Sequence, residues 1–395
     1  MHVLFVTGEY PPMQGGVGAY TQELGRALVA LGADVTVLTS EQAARPVYVD
    51  RDDGIRVLPA VRRWDWTLWD TINGLAAEMS VDWIHVQYQT AAFHMHPAIN
   101  FAPGRWRRDG KQVAWTYHDL LVPYLFPKAG RRLRTWVTER PAHKAQLVIV
   151  TNEGDRRQLA GHGLESVSIP IGSNIEARVV PPEDREARRA QRRYRKDTLV
   201  VGYFGFLNRS KGGLALVRTL HRLVQARPQV ALLMVGERVG ASDPTNYAYL
   251  QEVEALIAEL GLADQVQWTG GQPDAEVAAD LAACDVLLMP YEDGASLRRG
   301  TLMAGLAAGC AIVTTTPQAP LPELQEGRDL IYVPPGDDAA MAAAVLKIAG
   351  DGPLRARLQE NARRASDQFT WDRIARRHME CYANFAANGT STQGP

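Results

Sequence analysis

The sequence predicts an α/β protein built from two doubly wound, parallel-sheet domains in series. Short apolar runs typical of buried strands alternate with helical patterns, and this alternation starts afresh near residue 199 after a highly charged stretch. Strands that alternate with helices imply a parallel sheet covered on both faces. The length of 395 residues favours two domains, because single hydrophobic cores stop growing beyond roughly 250–300 residues.

The first half opens with "HVLFVTGEYPPMQGGVGAYTQELGRALVALGADVTVLTS". We interpret it as a strand at 3–7, a glycine-rich loop, a helix and a second strand at 35–38. In the helix, the apolar side chains recur at helical spacing, at Tyr20, Leu24, Leu28 and Leu31. Further strand patterns at 55–58, 83–86, 113–116 and 147–150 complete a predicted N-terminal Rossmann-like domain over residues 1–175.

The segment 176–198 is rich in arginine and acidic residues, contains prolines and has no apolar face. We interpret it as an interdomain linker whose arginines lie on a solvated helix face. The second half then begins with "LVVGYFGFLNRSKGG", a strand followed by a glycine-rich turn and a helix at 214–226. Strand patterns at 230–235, 266–268, 286–289, 311–315 and 331–333 predict a second domain over 199–367.

The closing segment 368–388 contains "FTWDRIARRHMECYANFAAN" and is predicted to form an amphipathic helix. One stripe of that helix carries Trp371, Ile374, His378 and Tyr382. The glycine-, serine- and threonine-rich tail, 389–395, is predicted to be disordered.

The overall composition excludes several classes of protein. A net charge of −1 indicates neither a nucleic-acid partner nor an acidic one. Cys284, Cys310 and Cys381 lack the spacing of a disulfide scaffold or a zinc site, which suits a reducing compartment. The first apolar run is too short for a signal peptide, and no run is long enough to span a membrane. We therefore expect a cytoplasmic protein.

Ligands of open parallel sheets bind outside the carboxyl edges of the strands, so the loops after strands are the candidate sites. In the first half, "MQGGVGAY" places Gly16 and Gly18 where backbone amides can hold a phosphate, although glycine could serve turn geometry alone. The third glycine of a dinucleotide fingerprint is missing, which disfavours an NAD-linked oxidoreductase. His118 and Asp119 follow a later strand and are candidate catalytic or sugar-binding residues.

Two loops of the second half carry cations and glycine together. "FGFLNRSKGG" and "MPYEDGASLRRGT" both follow strands of the same predicted sheet. Arg298 and Arg299 stand at the start of a predicted helix, an end that cations normally avoid, so we expect a strongly negative group beside them. Cations with flexible glycines suit a nucleoside diphosphate. The candidate donor-site residues here are Asn208, Arg209, Lys211, Asp293, Gly294, Ser296, Arg298, Arg299, Gly300 and Thr301.

A metal or other cofactor is not expected. No paired acidic motif stands at a strand end, and the histidines of "HMH" have no carboxylate or cysteine at ligand spacing. Lys211, Arg298 and Arg299 could themselves neutralise a leaving diphosphate, and we place Lys211 and Arg299 with His118 and Asp119 as catalytic candidates.

One surface stretch suggests peripheral contact with the inner membrane. "VRRWDWTLWD" brings Arg62, Arg63, Trp64 and Trp66 together, and such segments can place arginines at headgroups and tryptophans at the membrane interface. The alternative is a tryptophan-rich edge of the core with solvated arginines.

The chain resembles the retaining, nucleotide-sugar-dependent glycosyltransferases of family 4, which have the GT-B fold. The resemblance rests on the opening segment above, on "TYHD", "VTNEGDRRQL" and "IPIGSNI", and on "YFGFLNRSKGG", "LLMPYEDGASLRRGTLMAGLAAGCAIVTT" and "FTWDRIARRHMECY". It implies two Rossmann-like domains facing across a cleft, with the closing helix crossing back to the first domain.

The resemblance also implies roles for individual residues. Gly16 and Gly18 would face the donor phosphates, His118 would contact the donor sugar or the acceptor, and Lys211 would bind the diphosphate without a metal. This sequence departs from the family at two places. Phe206, not arginine, follows Gly205, so Asn208 or Arg209 would have to compensate.

The second departure concerns the two glutamates, separated by seven residues, that the family carries before the small-residue helix. Their positions are occupied here by Ser296 and Ala304. The resemblance is thus to a divergent subset with a Ser-x-Arg-Arg-Gly pattern.

These observations predict transfer of a sugar from a nucleoside-diphosphate sugar to a hydroxyl acceptor, such as a glycan, a lipid-linked acceptor or a small molecule, with retention of configuration. The missing glutamates keep open a non-catalytic sugar-nucleotide-binding homologue. A nucleotide-sugar epimerase of related fold is a further alternative, although it would need more carboxylates or histidines around the sugar.

Overall fold

The computed structural model describes residues 1–13, 15–44, 51–122, 130–175, 180–239 and 245–390, without the side chains of 51, 245 and 386–390. The chain divides into two compact units. Unit 1 comprises Met1–Gly172 together with the chain from Trp371 onward, and unit 2 comprises Ser173–Thr370. The chain therefore leaves unit 1, builds unit 2 and returns to unit 1.

Unit 1 is built on an eight-stranded sheet with the order β3-β4-β2-β1-β5-β6-β7-β8. Its strands are β1 (His2–Thr7), β2 (Asp34–Ser40), β3 (Arg51–Asp52), β4 (Ile55–Val61), β5 (Trp83–Tyr88), β6 (Gln112–Tyr117), β7 (Leu147–Val150) and β8 (Val167–Ser168). All neighbours are parallel except β3 and β4. The predicted parallel sheet is confirmed, and the short antiparallel edge strand β3 is an addition to it.

Helices cover both faces of this sheet. They are α1 (Gly16–Ala30), α2 (Leu68–Glu78), α3 (Ala98–Arg108), α4 (Gly130–Glu139) and α5 (Glu153–Gly161). In α1, Tyr20, Leu24 and Leu28 are buried, as their spacing predicts. One apolar cluster packs α1 against the sheet, and a second packs α2 and α3 against the opposite face.

Unit 2 has a six-stranded, fully parallel sheet with the order β11-β10-β9-β12-β13-β14. Its strands are β9 (Leu199–Phe204), β10 (Val230–Val235), β11 (Val266–Trp268), β12 (Val286–Met289), β13 (Ile312–Thr315) and β14 (Ile331–Val333). Its helices are α6 (Pro182–Gln191), α7 (Gly213–Ala226), α8 (Thr245–Glu259), α9 (Asp274–Ala283), α10 (Gly300–Ala307), α11 (Asp338–Gly350) and α12 (Gly352–Ser366). The second doubly wound sheet is confirmed.

The charged segment before β9 is structured and belongs to unit 2. The prediction of a linker with solvated arginines is wrong over α6, because Arg188 and Arg192 bind the fully buried carboxylate of Asp280. Arg189 is itself 8% exposed and pairs with Asp285. Residues 176–179 of the predicted linker lie outside the described residues.

The last helix, α13 (Trp371–Thr390), belongs to unit 1. Ile374, Ala375 and Tyr382 are buried in the apolar cluster that also contains Leu24 and Leu28 of α1. Of the tail predicted to be disordered, 389 and 390 are helical, and 391–395 lie outside the described residues. No described helix combines the length and apolar character that crossing a membrane requires.

Candidate functional site

The two cation-bearing loops of unit 2 are in contact at the carboxyl edge of the sheet. Glu292, after β12, donates its backbone N–H to the carbonyl of Ser210, after β9, at 2.9 Å. Gly212 has φ +72°, and a Cβ there would lie 1.8 Å from the carbonyl oxygen of Pro290. This close backbone approach requires glycine. The structure thus brings together the two loops that the sequence singles out.

Asp293 is the negative partner of both arginines before α10. Arg299 donates through Nη2 to both carboxylate oxygens of Asp293, and Arg298 donates to Oδ2 at 3.2 Å. The negative group expected beside these arginines is therefore supplied in part by the chain itself. Both guanidinium groups share this one carboxylate, so Asp293 does not fully neutralise the pair.

Lys211 adds a further cation beside Arg299. Burial and the neighbouring Arg299 lower the pKa of the Lys211 amine to about 8, so it is mainly protonated at neutral pH. A Cβ on Gly205, which has φ +106°, would lie 3.0 Å from Lys211 Nζ and 2.7 Å from Thr301 Cγ2. Gly205 therefore lets Lys211 and Thr301 approach the same point. Thr301 Oγ1 lies 2.7 Å from the hydroxyl of Tyr291.

Arg209 and Asn208 make contacts away from the cation group formed by Lys211, Arg298 and Arg299. The Arg209 guanidinium donates to the Glu252 carboxylate of α8 at 3.0 and 3.1 Å, and its side chain is 63% exposed. The Asn208 side-chain oxygen accepts from the backbone N–H of Lys211 at 3.1 Å and caps a single 3-10 turn. The expectation that either residue replaces the family's arginine is not supported by these contacts.

The N-terminus of α10 has features that favour binding of an anion. Its N-cap is Arg299, no side chain caps it, and its first turn contains no acidic residue. Gly300 is exposed at this end. Helix N-termini present unpaired N–H groups and a partial positive charge, which here adds to that of Arg299.

The remaining residues of this loop have structural contacts. Gly294 has φ +79°, and a Cβ there would lie 2.5 Å from the carbonyl oxygen of Thr316. The Ser296 hydroxyl lies 3.4 Å from the backbone nitrogen of Arg298. Ala304 is 1% exposed inside α10. The two positions that the resemblance aligns with glutamates, Ser296 and Ala304, therefore offer one hydroxyl and no carboxylate.

In unit 1, a carboxylate fills the glycine-rich loop. Glu9 Oε1 accepts from the backbone N–H groups of Val17 at 2.9 Å and Gly18 at 3.2 Å. A Cβ on Gly15 would lie 2.1 Å from the same oxygen, so the glycine lies directly against the carboxylate. The phosphate role predicted for the Gly18 amide is corrected, because an internal anion occupies it. Gly16 has open space where a Cβ would stand.

Sequence reasoning missed Glu9, although a signal was present. The residue stands in "GEYPP", between the first strand and the glycine-rich loop. It is only 8% exposed, and burial raises the pKa of its carboxyl while the two amides oppose this shift. Helix α1 has no side-chain cap and no acidic residue in its first turn. A carboxylate just before it in the sequence can therefore balance the partial positive charge of its N-terminus.

His118 lies at the carboxyl end of β6 as a neutral ring. Its Nε2–H donates to the Gln87 side-chain oxygen at 3.0 Å, and the ring packs edge-on against Tyr20 with centroids 4.6 Å apart. Burial, with a smaller effect of His378, lowers its pKa to about 3. A base that weak accepts no proton at neutral pH, so His118 can bind a hydroxyl but is a poor general base.

A buried polar network lies behind His118. His85 Nδ1 is 2.5 Å from the Tyr382 hydroxyl of α13, and His85 Nε2 is 2.7 Å from the Thr116 hydroxyl. His378, also on α13, lies 3.4 Å from the Tyr20 hydroxyl, and burial lowers its pKa to about 4. These neutral histidines join the sheet, α1 and α13, which gives them a structural role.

The Asp119 side chain stabilises the loop that follows β6. Its Oδ1 accepts from the backbone N–H of Leu121 at 3.1 Å, and its Oδ2 accepts from the Gln89 amide at 3.2 Å. The carboxylate is 7% exposed. These contacts favour a positioning role over the catalytic role predicted from sequence.

The arginine- and tryptophan-rich stretch lies partly on the surface and partly in the core. Trp64 is 3% exposed and packs edge-on against Phe93, so its predicted membrane contact is wrong. Trp66 is 48% exposed. Arg62 and Arg63 lie beside a cavity of about 580 Å³ that is lined by Glu41, Ala60, Val61, Arg62, Arg63, Asp65, Thr67, Leu68 and Thr71.

Within the described residues, no group of three or more His, Cys, Asp or Glu side chains could hold a metal ion.

Comparison with family models identifies both halves of the chain. Residues 14–176 match the model described as "Glycosyltransferase Family 4", and residues 198–351 match "Glycosyl transferases group 1". Similar curated proteins include a D-inositol 3-phosphate glycosyltransferase of Corynebacterium jeikeium, 25% identical over 95% of this chain and 93% of the relative. A phosphatidyl-myo-inositol mannosyltransferase of Mycobacterium leprae is 26% identical over 96% of both chains.

Solved structures share the fold at lower identity. Sucrose-phosphate synthase from Thermosynechococcus elongatus has a TM-score of 0.78 and 22% identity, with 98% of this chain and 100% of that chain covered. Anabaena HepE in complex with UDP has a TM-score of 0.75 and 20% identity, with 97% and 100% covered. The fold is therefore that of the GT-B glycosyltransferases.

Proposed function

We propose, from the match of residues 14–176 to glycosyltransferase family 4 and of residues 198–351 to the group 1 glycosyl transferases, that the chain transfers a sugar from a nucleoside-diphosphate sugar to a hydroxyl acceptor with retention of configuration. The observation that carries the proposal is the cation group of unit 2. Arg298 and Arg299 share one internal carboxylate, Asp293, beside the uncapped start of α10, and Lys211 lies next to Arg299. A diphosphate supplies the remaining negative charge.

In the proposed reaction, the bond between the sugar C1 and the diphosphate oxygen breaks as the acceptor oxygen bonds to C1 on the same face. The acceptor proton passes to the departing diphosphate. Lys211, Arg299 and the α10 start stabilise the charge that develops on that group. The cations do this without a metal, and His118 contributes a hydrogen bond to a sugar hydroxyl because its ring stays neutral.

The acceptor class is proposed from the relatives and from unit 1. Two relatives are named for inositol-containing acceptors, so inositol and its lipid-linked derivatives are the first acceptors to test. Unit 1 offers hydrogen-bond acceptors at Glu9 and neutral His118, which suit hydroxyl groups.

We keep peripheral membrane contact as part of the proposal, through Arg62, Arg63 and Trp66. The two arginine side chains are 84% and 83% exposed, which leaves them available to anionic headgroups. Arg62→Glu with Arg63→Glu should abolish sedimentation with anionic vesicles. Arg107→Glu with Arg108→Glu, an exposed pair with the same charge change, is the control. Equal loss in both double variants would contradict this contact surface.

The reaction is tested with a panel of UDP-, GDP- and ADP-sugars. We expect one donor to raise the melting temperature and to release its nucleoside diphosphate when a hydroxyl acceptor is added. Proton NMR of the product should show the anomeric configuration of the donor sugar. An inverted product contradicts retention, and no donor binding at all contradicts the proposal.

A non-catalytic sugar-nucleotide-binding protein is the second candidate, because Ser296 and the buried Ala304 replace two glutamates. Donor binding without release, in the presence of inositol-containing, glycan and lipid-linked acceptors, would favour it.

A further inference from the structure

The aromatic ring of Tyr291 lies against the guanidinium group of Arg299. Tyr291 follows β12 and is buried, and its ring centroid is 4.9 Å from Arg299 Cζ. A guanidinium group within about 6 Å of a ring centroid is attracted by the negative face of the ring. The backbone of Tyr291 is anchored, because its carbonyl accepts from the Thr315 hydroxyl of β13 at 2.8 Å. Tyr291 therefore supports Arg299 from the interior of unit 2.

The hydrogen bonds of Arg299 are made by its two terminal nitrogens. Nη2 donates to Asp293, and Nη1 donates to the Ser210 hydroxyl of the neighbouring loop at 3.3 Å. Arg299 Nε is buried and has no hydrogen-bond partner within the part of the chain that the structure describes. The Tyr291 ring thus adds a support on the face of the guanidinium group, where the hydrogen bonds hold only its outer nitrogens.

The hydroxyl of Tyr291 contacts the first turn of α10. It lies 2.7 Å from Thr301 Oγ1 and 3.3 Å from Met289 Sδ. Burial raises the pKa of Tyr291 to about 12, so the phenol keeps its single proton at neutral pH. Because a hydroxyl oxygen is a stronger acceptor than a thioether sulfur, the phenol donates to Thr301. The Thr301 hydroxyl can then donate its own proton to an oxygen of a ligand.

We propose that Tyr291 is a positioning residue for the diphosphate of the donor: its ring holds the Arg299 guanidinium group and its hydroxyl orients Thr301, so that both groups are in place at the N-terminus of α10 before the ligand binds. The inference rests on the proposed function for the identity of the ligand. Because Tyr291 is buried, it acts through Arg299 and Thr301 and does not touch the ligand itself. Donors that are already in place need no reorganisation when negative charge develops on the departing group.

The test is the affinity of the full-length protein for inorganic pyrophosphate, measured by calorimetric titration in two double-mutant cycles. Tyr291→Phe removes the hydroxyl alone, and Tyr291→Leu removes the ring as well, so the step from Phe to Leu isolates the ring. We expect this step to weaken binding at least about fivefold when Arg299 is present and less than about twofold in Arg299→Ala.

The second cycle isolates the hydroxyl of Tyr291. Tyr291→Phe should weaken binding about threefold in the wild type and should have no effect in Thr301→Val, which lacks the hydroxyl that Tyr291 orients. A residue with only a structural role would weaken binding by the same factor in both backgrounds. That outcome in either cycle overturns the proposal, and each cycle decides alone if a variant of the other fails to fold.

The same step from Phe to Leu at Tyr249 is the matched control. Tyr249 is buried and the Arg209 guanidinium lies 5.1 Å from its ring centroid, but Arg209 pairs with Glu252 at an exposed site. We expect this step to change the affinity for pyrophosphate by less than about twofold. A loss as large as that at Tyr291 would show a general effect of removing a buried ring, and it would overturn the proposal.

The outcomes separate this inference from the proposed reaction. Coupled losses in a protein that transfers no sugar would contradict the reaction and support the role of Tyr291. Sugar transfer with uncoupled losses would contradict the role of Tyr291 alone. A wild-type protein that does not bind pyrophosphate would contradict this inference whatever its activity.

Discussion

Individual charges decide which parts of the two glycine-rich loops can receive a ligand. In unit 2, Arg298 and Arg299 share the carboxylate of Asp293, and Lys211 adds a third cation beside Arg299. In unit 1, Glu9 gives the start of α1 a full internal counter-charge. The glycine-rich loop of unit 1 thus holds a carboxylate of its own, whereas the loops of unit 2 bring three cations together.

The pKa of Lys211 makes donor binding dependent on pH. The amine is charged below its pKa of about 8 and loses its charge as the pH rises through that value. The affinity for a nucleoside diphosphate should therefore fall between pH 7 and 9.5, as measured by calorimetric titration. Lys211→Arg, which stays charged throughout, should remove this fall. The same fall in Lys211→Arg would show that another group titrates.

The raised pKa of Glu9 makes its effect on stability dependent on pH. A carboxyl whose pKa is higher in the folded state favours folding most at low pH, and this contribution is lost as pH rises through the folded pKa. Glu9→Gln, which buries no charge and retains an acceptor for the amides, should have the higher free energy of unfolding at pH 7. The difference should shrink as the pH falls through the folded pKa of Glu9. Urea denaturation at several pH values measures it, and a pH-independent difference contradicts the assignment.

For single residues, the sequence predicted which loops carry the charged side chains, but it did not predict which side chains those residues bind. The position of two arginines before a helix indicated a nearby anion, but sequence spacing does not show that Asp293 folds back onto both. Arg209 stands two residues from Lys211, yet it turns towards Glu252 of α8. Such choices depend on tertiary contacts between residues far apart in the chain.

Among the elements, α6 shows how a helix without an apolar face can still be part of a core. Asp285, 7% exposed, accepts from Arg185, Arg189 and Arg355 and from the backbone N–H of Val200. The helix is attached by buried ion pairs and hydrogen bonds. Hydrophobic periodicity predicted the strands and the apolar helices, but it could not detect an attachment of this kind.

Asp285→Ala should destabilise unit 2 strongly, because it leaves the buried Arg189 without its carboxylate. We expect a loss of about 3–5 kcal/mol in the free energy of unfolding. Asp197→Ala is the matched control, since its carboxylate pairs with Arg195 at 3.3 Å where both side chains are more than half exposed. That exposed pair should contribute at most about 1 kcal/mol. Chemical denaturation decides between them, and equal effects would contradict the structural role of Asp285.

For the whole molecule, the return of the chain to unit 1 is the main feature of its connectivity. The sequence predicted the amphipathic stripe of α13, and the structure places Ile374 and Tyr382 in the core of unit 1. The stripe also contains His378, whose contacts with Tyr20 and the Ile374 carbonyl could not be predicted from periodicity. The parallel sheet of each unit followed from the alternation of strands and helices.

Ending the chain after Thr370 should destabilise unit 1 and spare unit 2. Each large apolar side chain removed from a core costs about 2–5 kcal/mol, and the truncation removes at least Ile374 and Tyr382 from this one. Calorimetry should show an earlier unfolding transition, while binding of a nucleoside diphosphate to unit 2 persists. Unchanged unfolding would contradict the assignment of α13 to the core of unit 1.

Above all, we expect the cations before α10 to bind the diphosphate of a sugar donor. Calorimetric titration with the nucleoside diphosphate of the active donor tests it in three proteins: the wild type, Arg299→Ala and Arg209→Ala. Arg209 is the control, because it lies in the neighbouring loop but pairs with Glu252 at an exposed site. We predict that Arg299→Ala weakens binding at least about tenfold and that Arg209→Ala changes it by less than about twofold. Equal weakening in both variants, or in neither, would contradict the account.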